Sequence, residues 1–185
     1  MLNVFRRNPR ATTIEALYGA IVAQARSPVF YLAYGIPDTV NGRLDVLMLH
    51  LAMAFERLSQ GDDEAKAAGQ ETFDRFCRDM DDHLREDGVG DLKVPKEVRG
   101  VAAAFFGRHR AYMTALRAAD RMALEAALCR NIFTNSEASG AARLAFYSEA
   151  AMRSLAGQDA LAIAGGRIAW PDPAVEWRET PSGPA

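Results

Sequence analysis

The sequence predicts an all-α fold, a single domain of six to seven packed helices. Three observations carry that expectation. Apolar residues recur at i, i+3, i+4 and i+7 along most of the chain. No stretch alternates polar and apolar residues with the period of a strand, and no internal repeat is visible. Cap and stop signals fall between the periodic stretches. With 185 residues, 49% of them hydrophobic, the chain has enough apolar surface for one real core. The expected division is an N-terminal arm over 1–10, a helical domain over 11–164 and a Gly/Pro-rich tail over 165–185.

The arm carries Arg6, Arg7 and Arg10 with no apolar run or cleavage site behind it, so neither a signal peptide nor a twin-arginine signal is expected. Thr12 and Glu15 form a capping-box pattern ahead of a helix built on Ile14, Leu17, Tyr18, Ile21 and Val22. Ser27-Pro28 opens a short aromatic helix, Val29–Tyr34, which reads as a core plug. Thr39 or Asn41 caps a third helix to about Ser59. Its stripe is Leu44, Leu47, Met48, Leu51, Phe55 and Leu58, with Val46, Leu49 and Met53 on the other side. A helix apolar nearly all round is expected to be central, or else to lend its second face to a partner.

The fourth helix presents Phe73, Phe76, Met80 and Leu84 on one stripe, with Cys77 beside them, and Gly88 stops it. Eight acids and three arginines give Glu71–Asp91 a net charge of −5, whereas Leu92–Arg121 carries +5. An antiparallel pair with complementary flanks is therefore expected. The fifth helix, from about Pro95 to Ala118, uses Val98, Val101, Ala102, Phe105, Tyr112, Met113 and Leu116 as its core stripe, with His109 among them. Ala103, Gly107 and Ala111 lie at i, i+4 and i+8 on another face, where small side chains let a second helix approach closely. That visitor is either a helix of this domain or one belonging to a client. The second alternative makes Ala103, Gly107, Arg108, Ala111 and Tyr112 the partner-binding residues. Asp120 caps a sixth helix using Met122, Leu124, Ala127, Leu128 and Phe133; Ser136 or Ser139 caps a seventh, with Leu144, Phe146, Tyr147 and Met152. Gln158–Ala164 adds two turns, and Trp170 and Trp177 are candidate anchors for the tail.

Composition excludes several function classes. A net charge of −2 gives no case for nucleic-acid sequence recognition. No apolar run approaches the roughly 18 residues that span a bilayer. Cys77 and Cys129 stand far apart and read as small buried hydrophobes in a reducing compartment. Asp79, His83 and Glu86 share one helical flank, but metal binding needs further ligands, so neither a metal site nor a cofactor is expected. Asp81, Asp82 and Asp87 resemble an aspartate-rich motif of trans-prenyl diphosphate synthases, without that fold's second motif or its length. They leave an alternative reading: a small metal- or ligand-dependent helical enzyme using the Asp79–Asp91 acidic cluster. No nucleophile or phosphate-binding signature is present, so no catalytic residue is assigned.

The block Asp79-Met80-Asp81, Leu84-Arg85-Glu86 and Gly88-Val89-Gly90-Asp91-Leu92 with Val94 resembles the ubiquinol–cytochrome c chaperone family, the assembly factors for cytochrome b of respiratory complex III. Its motif residues here are Asp79, Asp81, Arg85, Glu86, Gly88, Gly90 and Asp91. Tyr31, Asp38-Thr39, Gly42-Arg43, His50 and Arg57-Leu58 resemble the family's upstream part, and Gly107-Arg108, Tyr112 and Arg130-Asn131 its downstream part. The resemblance implies a helical, non-enzymatic chaperone whose client is newly made cytochrome b. It also implies a small partner protein or ribosome contact as in mitochondrial members, although the aromatic-rich segments near the start of those members are reduced here. With no mitochondrial presequence, a bacterial-type member is expected, cytoplasmic or peripheral at the inner face of the cytoplasmic membrane.

Overall fold

The computed structural model describes residues 9–133 and 138–179, and these form helices joined by short turns and loops, with no strand among them. Six helices have eight or more residues: α1 (Pro9–Ala25), α3 (Val40–Ser59), α4 (Asp63–Glu86), α5 (Val94–Arg117), α6 (Arg121–Leu128) and α7 (Ala138–Ala156). Three are shorter: α2 (Pro28–Leu32), α8 (Ala160–Ala164) and α9 (Pro173–Glu179). A π-helical turn, Cys129–Phe133, continues α6.

Helix α3 is the axle. It touches α1, α4, α5, α7 and α8, and it is buried from Val46 to Ala54 without a break. Its apolar residues on all sides dictate this, since each exposed face would cost the transfer energy of its side chains. Thr39 starts the helix: its hydroxyl accepts a hydrogen bond from the Gly42 amide at 3.1 Å, so Thr39 and not Asn41 is the cap. Only glycine fits at Gly42, because a β-carbon there would stand 2.0 Å from the Pro37 carbonyl oxygen. Arg43 pairs with Asp38 at 2.6 Å across the same turn.

The expected plug exists as α2, with Phe30 and Tyr34 buried, although the helix itself ends at Leu32. His50 is a core histidine. Its Nδ1 donates to the Val46 carbonyl at 2.8 Å, and its Nε2 accepts from the Tyr147 hydroxyl at 2.9 Å. The neutral tautomer is fixed by those partners, since a carbonyl can only accept.

Three details differ from the sequence reading. Helix α1 runs from Pro9, so Thr12 lies inside it and is not its cap. Met122 points outward, 82% exposed, although it was expected on the core stripe; short α6 buries only Leu124, Ala127 and Leu128. Ser136 lies outside the described residues, and Ser139 falls within α7. Beyond residue 164 the chain packs on the core, with Trp170 as an anchor as the sequence suggested. Gln24 donates to the Pro171 carbonyl at 3.1 Å, the Tyr34 hydroxyl donates to the Pro173 carbonyl at 2.9 Å, and the Trp170 ring meets His50 edge-on at 5.1 Å.

The acidic and basic helices do pack together, but not through their charges. Phe73 and Phe76 of α4 meet Phe105 and Phe106 of α5 with ring centroids 4.8–6.3 Å apart. Among the described residues no ion pair joins α4 to α5. The acids of α4 face α1 instead: Glu71 takes Arg10 at 3.0 Å, and Asp79 accepts from the Tyr18 hydroxyl at 2.8 Å. The bases of α5 face α3, where Arg108 meets Asp45 at 2.8 Å and Arg117 meets Glu56 at 2.6 Å.

Candidate functional site

Where α1, α3, α4 and α5 converge, they leave an apolar groove of about 400 Å³. Val22 comes from α1, Leu44 and Leu47 from α3, Met80 and Leu84 from α4, and Val101 from α5. Leu47 is buried, whereas Val22, Leu44, Met80, Leu84 and Val101 are only half-buried. Their periodicity orients them inward, yet no helix of the described chain closes over them. Val40 stands at the mouth, 82% exposed. The rim is divided by sign: Arg26 and Arg43 lie on the α1–α3 side, and Asp79, His83 and Asp87 on the α4 side.

A second cavity of about 710 Å³ adjoins the groove, and Asn41, Leu44 and Val101 line both. It is more polar, with Thr39, Asp45, Glu97, Arg108, Arg130 and Asn131 in its walls. Burial pushes the Asp45 carboxyl above the usual carboxylate range, against the pull of Arg108. The π-helical turn supplies Arg130 and Asn131, and Asn131 Nδ2 donates to the Ala127 carbonyl at 2.8 Å.

The residues expected on the partner surface separate. Arg108 lines the polar cavity. Tyr112 is fully buried, so it cannot serve as an exposed aromatic wall. Ala103 and Gly107 are exposed, and nothing lies within 4 Å of a β-carbon added at Gly107, so no helix of the described chain packs there. Ala111 is half-buried against the core. None of these small residues lines a described cavity. The groove itself was hidden in the sequence because its residues look like ordinary core positions, drawn from elements up to some eighty residues apart.

The acidic flank gathers no ligand set. The Asp79 carboxylate is engaged by Tyr18 and lies 3.5 Å from Arg75, and His83 Nδ1 is bonded to the Asp79 backbone carbonyl at 2.7 Å. Among the described residues no group of three or more His, Cys, Asp or Glu is placed to hold a metal.

Comparison with known proteins accords with this architecture. The profile of the Ubiquinol-cytochrome C chaperone family matches residues 32–170. A solved structure, the crystal structure of the Cbp3 homolog from Brucella abortus, superimposes with a TM-score of 0.83 at 37% identity, over 90% of this chain and 92% of that one. No curated protein sequence matches significantly. The chain belongs to the ubiquinol–cytochrome c chaperone family.

Membership makes this protein a chaperone of complex III assembly and implies a protein client. The motif block of this chaperone is a helix terminator. Gly88 takes φ +80, its amide donates to the Arg85 carbonyl at 3.0 Å, and the Val89 amide reaches back to the Leu84 carbonyl at 2.9 Å. That is a Schellman cap, which needs the left-handed conformation glycine adopts freely. Arg85 bridges Asp81, at 2.6 Å, and Asp91, tying the last turn of α4 to the loop beyond it. Its guanidinium pKa is raised first by the hydrogen bond to Asp81. Glu86 and Gly90 are exposed. Among the described residues no helix is long and apolar enough to cross a membrane.

Proposed function

We propose that this chaperone holds newly made cytochrome b by seating one of its apolar helices in the groove between α1, α3, α4 and α5. The observation that carries the reading is the set of half-buried aliphatic side chains, Val22, Leu44, Met80, Leu84 and Val101, with Val40 exposed at the mouth. A transmembrane client helix is apolar all round, so part of its surface needs cover until it finds its final neighbours. Burying aliphatic surface on both partners supplies the affinity, at about 25 cal/mol per Å² before ordering costs are subtracted. The split rim orients the guest and speeds encounter without adding much affinity.

The same geometry favours a non-enzymatic role. The acids Asp79, Asp81 and Asp91 are engaged with Tyr18, Arg75 and Arg85, and of the three only Asp79 lines the groove. Action at the inner face of the cytoplasmic membrane, from the cytoplasmic side, fits a client whose helices are newly inserted there.

The test is affinity purification of the tagged chaperone from a respiring host, probed for cytochrome b. Specific enrichment of cytochrome b over other polytopic membrane proteins is expected. Equal recovery of unrelated membrane proteins, or none of cytochrome b, overturns the reading.

A further inference from the structure

We propose that the outward face of α5 docks this chaperone on an anionic phospholipid surface. The docking rests on the proposed action at the membrane, to which it adds the face and the lipid, and it stands apart from the groove.

The face is a straight stripe. Lys96, Arg99, Ala103, Phe106 and Arg110 follow one another at steps of three and four residues along α5, and all five are exposed. At 1.5 Å per residue the stripe runs about 21 Å. Gly107 lies beside it, with nothing within 4 Å of an added β-carbon. Ala103 and Gly107 keep the middle of the face low, so a flat surface can approach the helix.

The charges there are of one sign and unspent. Helix α5 has one acid, Glu97, and that residue lines the polar cavity together with Val101 and Arg108. Arg108 and Arg117 are taken by Asp45 and Glu56 of α3. Lys96, Arg99 and Arg110 make no ion pair among the described residues. Neither does Lys93, which precedes α5 without a side-chain capping bond. Asp91, the acid of the loop before α5, is held by Arg85. Each base brought near an anionic leaflet raises partitioning by about fivefold.

Apolar chemistry separates lipid from other polyanions. Leu92 stands just before α5, next to Lys93, and is 98% exposed. Phe106 packs against Phe73 with ring centroids 4.9 Å apart, yet is 45% exposed. A bilayer surface takes both chemistries at once, with basic heads at the phosphates and aliphatic or aromatic groups below them. RNA recognition instead lays unstacked bases on free aromatic rings and hydrogen-bonds their edges. The stripe from Lys96 to Arg110 offers no Asn, Gln, Ser or Thr, and its one aromatic ring is already packed on the core. An acidic protein would pair with the bases and give Leu92 nothing to bury against.

Vesicle flotation with the full chain tests the docking. Vesicles of phosphatidylcholine alone are compared with vesicles that also contain phosphatidylglycerol. The wild type is expected to float with the anionic vesicles and to leave them as salt shortens the screening length, to about 3 Å at 1 M. The exposed triple variant Lys96→Gln, Arg99→Gln, Arg110→Gln should bind about a hundredfold more weakly with its circular dichroism unchanged. Leu92→Ser should weaken binding to the same vesicles while leaving its dependence on salt intact. Absence of flotation, equal flotation with the neutral vesicles, or full binding by either variant overturns the inference. So does tighter binding of a homopolymeric RNA or of polyglutamate at the same ionic strength, which would assign the face to nucleic acid or to an acidic protein. Recovery of cytochrome b from detergent extracts reads the groove separately. If recovery persists while vesicles do not bind, the docking alone fails; if vesicles bind and no cytochrome b is recovered, it is the groove reading that fails.

Discussion

Glu56 and Arg117 form a buried-to-exposed ion pair that locks α3 to α5. The Glu56 carboxylate is 1% exposed and receives Arg117 Nε at 2.9 Å and Nη2 at 2.6 and 2.7 Å, while the Arg117 side chain is 63% exposed. His109 Nε2 lies 3.3 Å from the same carboxylate, and Gln60 donates to it at 2.8 Å. The partners are therefore not equivalent. Removing Arg117 strands a carboxylate that has no access to water, whereas removing the charge of Glu56 releases an arginine that water can solvate. Arg117→Met should cost about 2–3 kcal/mol, below the full range for a stranded buried charge because His109 and Gln60 remain. Glu56→Gln should cost less. Chemical denaturation of both variants checks the order, and a larger loss for Glu56→Gln would refute it.

His50 makes stability depend on pH. Burial pushes its pKa down to about 4 in the folded protein, from an ordinary value of about 6.5. Below pH 6.5 the unfolded chain takes up a proton that the folded chain refuses, so unfolding gains and stability falls. The loss should run from about pH 6.5 down to about pH 4 and total about 3 kcal/mol. The His109 pKa is also lowered, chiefly by burial, and adds loss in the same direction. Denaturation midpoints at successive pH values, with the His50 ring followed by NMR, measure this. An imidazole that titrates near 6.5 in the native state would contradict the account.

Gly107 was the position at which the sequence left two alternatives, a helix of this domain or a helix of a client packed against it. The structure leaves the face open at this residue. Gly107→Ala should therefore stabilise the chaperone by about 0.5–1 kcal/mol, the ordinary gain at an exposed helix interior. A loss of stability would mean that something packs there after all.

The helix terminator is testable at Gly88. Its φ of +80 is the left-handed region, where a β-carbon costs about 1–2 kcal/mol. Gly88→Ala should lower stability by about that amount and speed amide exchange at Val89, whose hydrogen bond to Leu84 closes the cap. Arg85→Ala should loosen the same turn, because Asp81 and Asp91 lose their shared partner. Unchanged exchange at Val89 in both variants would sink this reading of the motif.

The pattern of what was legible has a physical basis. Periodicity shows which face of a helix is apolar, so the central place of α3 and the Phe73–Phe76 stripe could be read directly. It does not say which neighbour the face meets. The opposite charges of α4 and α5 suggested a mutual pairing. In the fold Glu71 and Asp79 turn to α1, Arg108 and Arg117 turn to α3, and phenylalanines join the two helices. Net charge is a sum over a segment, whereas pairing depends on the direction of each side chain. Arg108 was picked out as part of a surface, and it does line a cavity, but on a different face of α5 from Gly107. Leu84 and Val101 belong to one groove only because the fold brings α4 and α5 side by side.

The decisive contrast for client binding is Leu84→Lys against Gly107→Leu. Leu84 is half-buried in the wall of the apolar groove, near the end of α4. A lysine there keeps helix propensity and can reach solvent, so the fold should survive. It places an ammonium group where the client helix would bring aliphatic surface, and covering that group without a partner costs the complex about 2 kcal/mol or more. Recovery of cytochrome b should fall at least about tenfold. Gly107→Leu adds bulk to the open face outside the groove, and should leave both the fold and the recovery unchanged. The opposite result, retention by Leu84→Lys and loss by Gly107→Leu, would move the client site to the small-residue face of α5. Circular dichroism of both variants ensures that a lost client is not a lost fold.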